Sequence, residues 1–247
     1  MTPYYQDSKA TIYHGDCREI FPCLPWAKYV VIADPPYAET SLKWDRWPYG
    51  WPDALGTAES MWCFGSFRMF LDRWSQFEAW RMSHEVVWEK HNGSNARNDR
   101  FRRVHELVVH FFNANIPWVD IYKKPPVTND ALKRTIRRKG RPVQWNDMDG
   151  STFRSNDGGP RLMRSVLHRR SCHGNATNPT QKPESLIRPL LEYIAGPGCV
   201  VLDPFMGSGT VARVAKDMGL PSISMDVRES ECEAAALRLS QEVLSYV

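Results

Sequence analysis

Cys199-Val200-Val201-Leu202-Asp203-Pro204-Phe205-Met206-Gly207-Ser208-Gly209-Thr210 reads as a short buried strand running into a glycine-rich turn. A helix follows over Val211 to Met218, closed by Gly219. A strand, a glycine turn and a helix in that order form a nucleotide-type site. Glycine lets a ligand approach the backbone, and a helix N-terminus favours negative charge. Two common versions are excluded: no Gly-Lys-Ser/Thr follows, and the spacing is not G-x-G-x-x-G. One strand later, over Pro221 to Met225, the chain reaches Asp226, where a Rossmann-like site hydrogen-bonds ribose hydroxyls. A helix-capping role for Asp226 is the alternative reading.

A second strand ends in a second polar turn. The apolar run Tyr29-Val30-Val31-Ile32-Ala33 stops at Asp34-Pro35-Pro36-Tyr37. Two prolines fix φ and carry no amide proton, so this turn is stiff and holds a carboxylate beside an aromatic ring. Ala10 to Tyr13 forms another strand, into His14-Gly15-Asp16, and Arg18 to Leu24 a short helix before Pro25. Further strands are read at Met61–Phe64, Glu85–Trp88 and Glu106–Phe112. Helices are read at Phe67–Trp80, Pro183–Ile194 and residues 229–245, the first from a stripe assigned to the core. Residues 38–57, rich in Pro, Gly and Trp, form a long loop after a strand's carboxyl end. It is either a lid or a loop pinned by its tryptophans.

At 247 residues, 42% hydrophobic and 24% charged, the chain is long enough for one α/β domain with a modest insertion. The net charge of +4 permits a nucleic-acid partner without demanding one. Six cysteines without a C-x-x-C pair read as free thiols, and Cys172-His173 lacks a second ligand pair, so no metal is expected. The start MTPYYQDSKAT lacks the basic and apolar regions of a signal peptide, and no apolar run approaches a membrane span. A cytoplasmic protein without a membrane partner is expected.

Asp34-Pro35-Pro36-Tyr37 resembles the [D/N/S]-P-P-[Y/F/W] motif of the S-adenosylmethionine-dependent amino-methyltransferases that modify exocyclic nitrogens of nucleic-acid bases. Asp203-Pro204-Phe205-Met206-Gly207-Ser208-Gly209-Thr210 is similar to their cofactor loop, and Thr180-Gln181-Lys182-Pro183 to their H-P-T-Q-K-P element, with Asn178 where histidine is usual. Gly15-Asp16-Cys17 is similar to their adenine-contacting segment. The catalytic turn comes first and the cofactor loop last, which is the order of the family's beta group. The resemblance therefore implies a Rossmann-like methyltransferase fold: α/β, with a mostly parallel doubly wound sheet, circularly permuted motif order and an inserted target-recognition segment. Placed in permuted order, the last helix leads back to the Ala10 strand, so the termini should lie close. The expected division is a catalytic half over residues 1–113, the insertion over 114–178 and a cofactor-binding half over 179–247.

The resemblance assigns catalysis to Asp34, Pro35, Pro36 and Tyr37. It assigns S-adenosylmethionine binding to Asp16, Asp34, Gln181, Lys182, Pro183, Asp203, Pro204, Phe205, Gly207, Ser208, Gly209, Thr210 and Asp226. In the middle stretch lysines and arginines outnumber aspartates and are interleaved with Trp145, Phe153 and His168. Lys133, Arg134, Arg137, Arg138, Lys139, Arg141, Arg169 and Arg170 are the expected nucleic-acid contacts. Methylation at cytosine carbon 5 is rejected, because Pro22-Cys23 precedes the strand instead of following it. The implied reaction is methyl transfer to N6 of a flipped-out adenine in DNA. N4 of cytosine, an RNA base and a catalytically silent nucleic-acid-binding protein stand as alternatives. A homodimer and a restriction partner are left open.

Overall fold

In the computed structural model the described residues are 1–94, 99, 101–137, 152–172 and 181–241. The chain forms two compact units, Met1–Lys124 with Ser165–Val247, and Pro125–Arg164. The first carries a nine-stranded sheet. Its strands are β1 (Tyr5–Gln6), β2 (Ala10–His14), β3 (Lys28–Ala33), β4 (Ser60–Gly65), β5 (Trp80–Ser94) and β6 (Arg103–Asn113). After the second unit, with β7 (Val127–Thr128), β8 (Arg134–Arg137), β9 (Thr152–Ser155) and β10 (Arg161–Leu162), come β11 (Val166–His168), β12 (Cys199–Asp203) and β13 (Ser222–Asp226).

The order across the sheet is β1-β2-β13-β12-β3-β4-β6-β5-β11. Strands β2, β13, β12, β3 and β4 run parallel to one another. Renumbered from β12 through the C-terminus and back to β2, this block has the doubly wound order 3-2-1-4-5. Strands β5 and β6 pair antiparallel, and β6 also pairs antiparallel with β4. The central strands are buried on both faces, which explains their continuous apolar runs: Val30, Val31, Ile32, Ala33 and Met61 through Phe64 are all at most 1% exposed.

The helices are α1 (Cys17–Ile20), α2 (Trp51–Ala54), α3 (Phe67–Arg73), α4 (Glu184–Ile194), α5 (Thr210–Asp217) and α6 (Glu229–Ser240). The helix expected over 18–24 is instead α1 plus a 3₁₀ turn, Phe21–Cys23, because Pro22 cannot continue the α-helical hydrogen bonding. The helix expected over 67–80 stops at Arg73. Its expected core stripe is split: Phe67, Leu71 and Trp74 are exposed, whereas Phe70, Phe77 and Trp80 are buried. Tertiary packing overrides the period here. Phe77 stacks on Phe111 at 4.8 Å, and Trp80 enters β5 with its indole donating to the Pro52 carbonyl. The last helix ends at Ser240 among the described residues, and 242–247 lie outside them.

Helix α6 packs Cys232, Ala235 and Leu239 onto Ala10 and Ile12 of β2, so the last described helix docks on the first long strand. The second unit contains two antiparallel pairs, β7 with β10 and β8 with β9. Among its described residues only Ala131 is buried. Residues 114–124 and 165–172 of the expected insertion belong to the first unit, where Lys124 N–H donates to the Tyr193 carbonyl and β11 pairs with β5.

The strands β5 and β6 also carry a pair of histidines, His110 buried and His84 half-buried. Ser83 Oγ contacts Nδ1 of His84 at 2.7 Å and Nδ1 of His110 at 2.6 Å, against Trp62 and Tyr193. Burial, with His84 adding to it, lowers His110 to about 3. The unfolded chain binds this proton near pH 6.5 and the folded chain does not, so the stability is present above pH 6.5 and lost as pH falls. Between pH 7.5 and 5.5 His110 alone should cost about 1.4 kcal/mol. Urea denaturation at both pH values should show that loss in the wild type and a smaller one in His110→Met. Equal losses would refute it.

Candidate active site

Strands β12 and β3 lie side by side, but the chain leaves them toward opposite edges of the sheet: β12 leads through α5 to β13, and β3 leads to β4. The turns after them diverge, and a crevice opens at their carboxyl ends. A cavity of about 1070 Å³ occupies it. Every expected catalytic and cofactor residue lines this cavity except Pro183, which is the N-cap of α4, and Gly209.

The glycine turn has a specific backbone. Gly207 has φ 50° and Gly209 φ 72°, both left-handed. A Cβ on Gly209 would stand 2.8 Å from the Ala235 Cβ, so this glycine lets α5 approach α6, whereas a Cβ on Gly207 would meet nothing within 4 Å. Asp226 anchors the turn: one carboxylate oxygen accepts from Gly207 N–H at 2.9 Å, the other from Arg228 N–H at 2.9 Å. It thus holds the loop and does not cap α6, whose N-cap is Arg228. Asp203 is 2% exposed, and burial holds its carboxyl well above the usual range, with Asp34 and Asp226 adding to the shift against the Phe205 N–H. Asp16 caps α1 and is paired with Arg18, which lowers it.

The loop over 38–57 is pinned and also forms a wall of the cavity. Trp47 and Trp51 are buried, and Trp51 meets the Phe205 ring edge-on at 5.0 Å. Asp45 is 3% exposed and accepts from the N–H groups of Ala38, Glu39 and Thr40 and from the Thr40 hydroxyl. Burial opposes its charge, but these donors win and lower its pKa. They brace the left-handed Ala38, φ 57°, directly after Tyr37.

Around Asp34 the structure gathers further charged groups. Lys182 Nζ donates to Asp34 Oδ2 at 2.6 Å and lies 3.5 Å from Glu106 Oε2, while Lys90 contacts Glu106 Oε1. The Tyr37 hydroxyl donates to Asp34 Oδ1 at 3.0 Å. Lys182 and Lys90 sit over the Phe64 and Trp88 rings at 5.0 and 4.7 Å. Burial opposes the Glu106 charge, but Lys182 and Lys90 outweigh it and hold Glu106 at about 2. Asp34 is raised by burial and by Glu106, with Lys182 opposing, so it is the more basic carboxylate of the two. Lys182 is held as an ammonium by both carboxylates despite burial.

Sequence reasoning missed Glu106 and Lys90. The available signal was a glutamate opening a strand that is apolar but for His110, Leu107 to Phe112. Because β6 runs antiparallel, its amino end meets the carboxyl ends of the parallel strands, and Glu106 pairs with Trp88 of β5.

The described residues among the expected nucleic-acid contacts fall in both units. Lys133 and Arg134 are exposed and Arg137 ends β8, all in the second unit. Arg138, Lys139 and Arg141 lie outside the described residues, as do Asn178 and Thr180. Arg170 is exposed in the first unit. Arg169 has a structural partner there: Pro189 inside α4 has no N–H for the Ser185 carbonyl, and Arg169 Nε donates to it at 3.2 Å. Among the described residues no group of three or more His, Cys, Asp or Glu could hold a metal, and no helix is long and apolar enough to cross a membrane. All six cysteines are free thiols.

The chain is 24% identical to the Type II methyltransferase M.ScaI of Streptomyces caespitosus, over 98% of this chain and 85% of that protein. It is 26% identical to the Type II methyltransferase M.HinfI of Haemophilus influenzae, over 98% and 71%. The fold is shared with the PvuII DNA methyltransferase, described as cytosine-N4-specific (TM-score 0.65, 15% identity, 98% of this chain and 90% of that one). It is shared as well with M1.HpyAVI solved with SAM (TM-score 0.62, 20% identity, 94% and 100%). Residues 29–237, from the strand before Asp34 to the last helix, match the N6/N4 methyltransferase family of DNA methylases, and the chain belongs to that family.

Proposed function

We propose that the protein transfers a methyl group from S-adenosylmethionine to the exocyclic N6 of adenine in DNA, by direct attack of a base flipped out of the duplex. The observation that carries this reading is that Asp34 and the glycine turn face one cavity at the switch point of the sheet. The residues suit the cofactor. Gly207 leaves open space beside the turn, Asp226 already fixes that turn, and the buried acid Asp203 would meet a cationic ligand. When bound, the cofactor supplies an electrophilic methyl on a sulfonium.

The chain's own part is acceptor placement. An exocyclic amine is a weak nucleophile because its lone pair is conjugated with the ring. The Asp34 carboxylate and the Pro35 carbonyl accept from the two amine hydrogens and favour the pyramidal nitrogen, and such preorganised polar groups are commonly the largest catalytic term. With the cofactor in place the amine would take up the methyl in exchange for the sulfonium sulfur, and Asp34, or water beside it, would receive the proton that the nitrogen sheds. Tyr37 stacks on the base. Extrusion of the base costs on the order of a few kcal/mol, offset by these contacts. The second unit, basic and with only Ala131 buried among its described residues, is the proposed target-recognition element.

Tritiated cofactor with unmethylated DNA, followed by nucleoside analysis, tests the base. Label in N6-methyladenine is expected, whereas label in N4-methylcytosine would keep the mechanism and replace the base. Asp34→Ala should lower turnover by roughly a hundredfold or more while cofactor affinity stays within a few-fold. Normal turnover in that variant would remove Asp34 from the mechanism. Replacing Lys133, Arg134 and Arg137 with serine should flatten the salt dependence of DNA binding by about 0.9 in log–log slope for each phosphate no longer neutralised. An unchanged slope would place the phosphate-binding residues elsewhere.

A further inference from the structure

Asp34, as it stands, has both oxygens engaged, Oδ1 by Tyr37 and Oδ2 by Lys182. An amine that is to donate to this carboxylate must take one of those positions. A buried ammonium 2.6 Å from a carboxylate, with no other partner, would resist that displacement. Lys182 does have another partner. Glu106 Oε2 lies 3.5 Å from its Nζ, and Glu106 is itself anchored by Lys90. The Tyr37 hydroxyl is likewise within 3.5 Å of Glu106 Oε2 as well as bound to Asp34. Each group that occupies Asp34 therefore has a second acceptor in Glu106.

We propose that Glu106 is a positioning residue for the methyl-transfer reaction: it divides Lys182 and Tyr37 between two carboxylates, so that they can shift onto Glu106 when the amine takes Asp34. This rests on the reading of Asp34 as the acceptor carboxylate. Among the described residues Asp34 faces Lys182, Tyr37 and Glu106, its charge also raises the buried Asp203 carboxyl and Cys63 thiol, and Lys90 acts through Glu106. Glu106 also keeps Asp34 basic by competing for the Lys182 charge, which suits a group that receives a proton. Two carboxylates and two ammonium groups balance, so neither lysine carries unshared charge into the pocket.

The network gives opposite signs at its two ends. In Glu106→Gln, Asp34 is the carboxylate partner that Lys182 retains among the described residues. Turnover should fall by roughly tenfold or more with cofactor affinity changing far less, and the acid limb of the pH–kcat profile should move to lower pH. In Lys90→Gln, Glu106 turns wholly to Lys182 and loses a neighbouring positive charge, so the acid limb should move to higher pH. Glu106→Asp should restore part of the turnover. The same shifts can be read without turnover by following the Asp34 carboxyl carbon in a ¹³C NMR pH titration, assigned with Asp34→Asn. Asp34 should titrate lower in Glu106→Gln and higher in Lys90→Gln than in the wild type. Wild-type protein that leaves DNA unlabelled would overturn the functional reading, while the titration would still decide the network. Lost turnover with an unmoved Asp34 titration, or wild-type turnover and titration in Glu106→Gln, would overturn the positioning role.

Discussion

The site depends on a constraint of chain direction. Two adjacent parallel strands, β12 and β3, must send their following segments to opposite sides, because α5 carries the chain to β13 and the 38–57 loop carries it to β4. No packing choice can close the gap that this divergence leaves between the two turns. A glycine turn on one lip and a double-proline turn on the other are the two local solutions. The first turns the backbone through the left-handed Gly207 and Gly209 and leaves open space beside Gly207. The second follows the Asp34 carboxylate with two prolines whose φ is fixed, which stiffens the turn. Asp226 and Asp45 then do the same work on the two lips, each satisfying buried or turning N–H groups from a segment that follows a strand.

The charges gathered there are hard to explain by stability. Removing one partner from a buried ion pair costs about 3–5 kcal/mol, yet replacing a whole buried network with apolar groups is often neutral or better. Lys182 and Glu106 have side chains only 10% and 13% exposed, and Lys182 sits against Phe64 and Trp88, surroundings that an aliphatic side chain would suit at least as well. The network makes sense as electrostatics prepared for a reaction, in which a low dielectric magnifies each interaction and the groups are already oriented. The histidine pair differs in kind: burial keeps His110 neutral there, and neither His84 nor His110 lines the cavity.

Much of this was legible in the sequence. The alternation of apolar runs with polar turns marked out the parallel strands, and the two turns at residues 34–37 and 203–210 marked the lips of the crevice, because glycine and proline act on the backbone directly and leave a local signal. What failed was whatever tertiary context decides. The Phe67–Trp80 stripe has helical spacing, but the core needs Phe77 and Trp80 from another direction, and the helix ends at Arg73. Arg169 reads as one more basic residue until Pro189, about twenty positions later, is seen to leave a carbonyl without its donor. The role of Arg169 is set by an absence elsewhere in the chain, and charge counting cannot see it.

Glu106 and Lys90 were invisible for a related reason. Reading turns at the carboxyl ends of parallel strands finds residues that follow a strand. Glu106 stands near the beginning of β6, and only the antiparallel direction of that strand brings its start to the same edge. The pairing register then sets Trp88 opposite Glu106, and Lys90 two residues further along the same face of β5. An antiparallel strand inserted into a parallel sheet thus contributes side chains to the active edge from its amino end, a position where motif reading expects structural residues. A charged residue at the start of a buried strand beside a parallel block is the feature to look for, since burial without a partner would be costly and the partner must come from that edge.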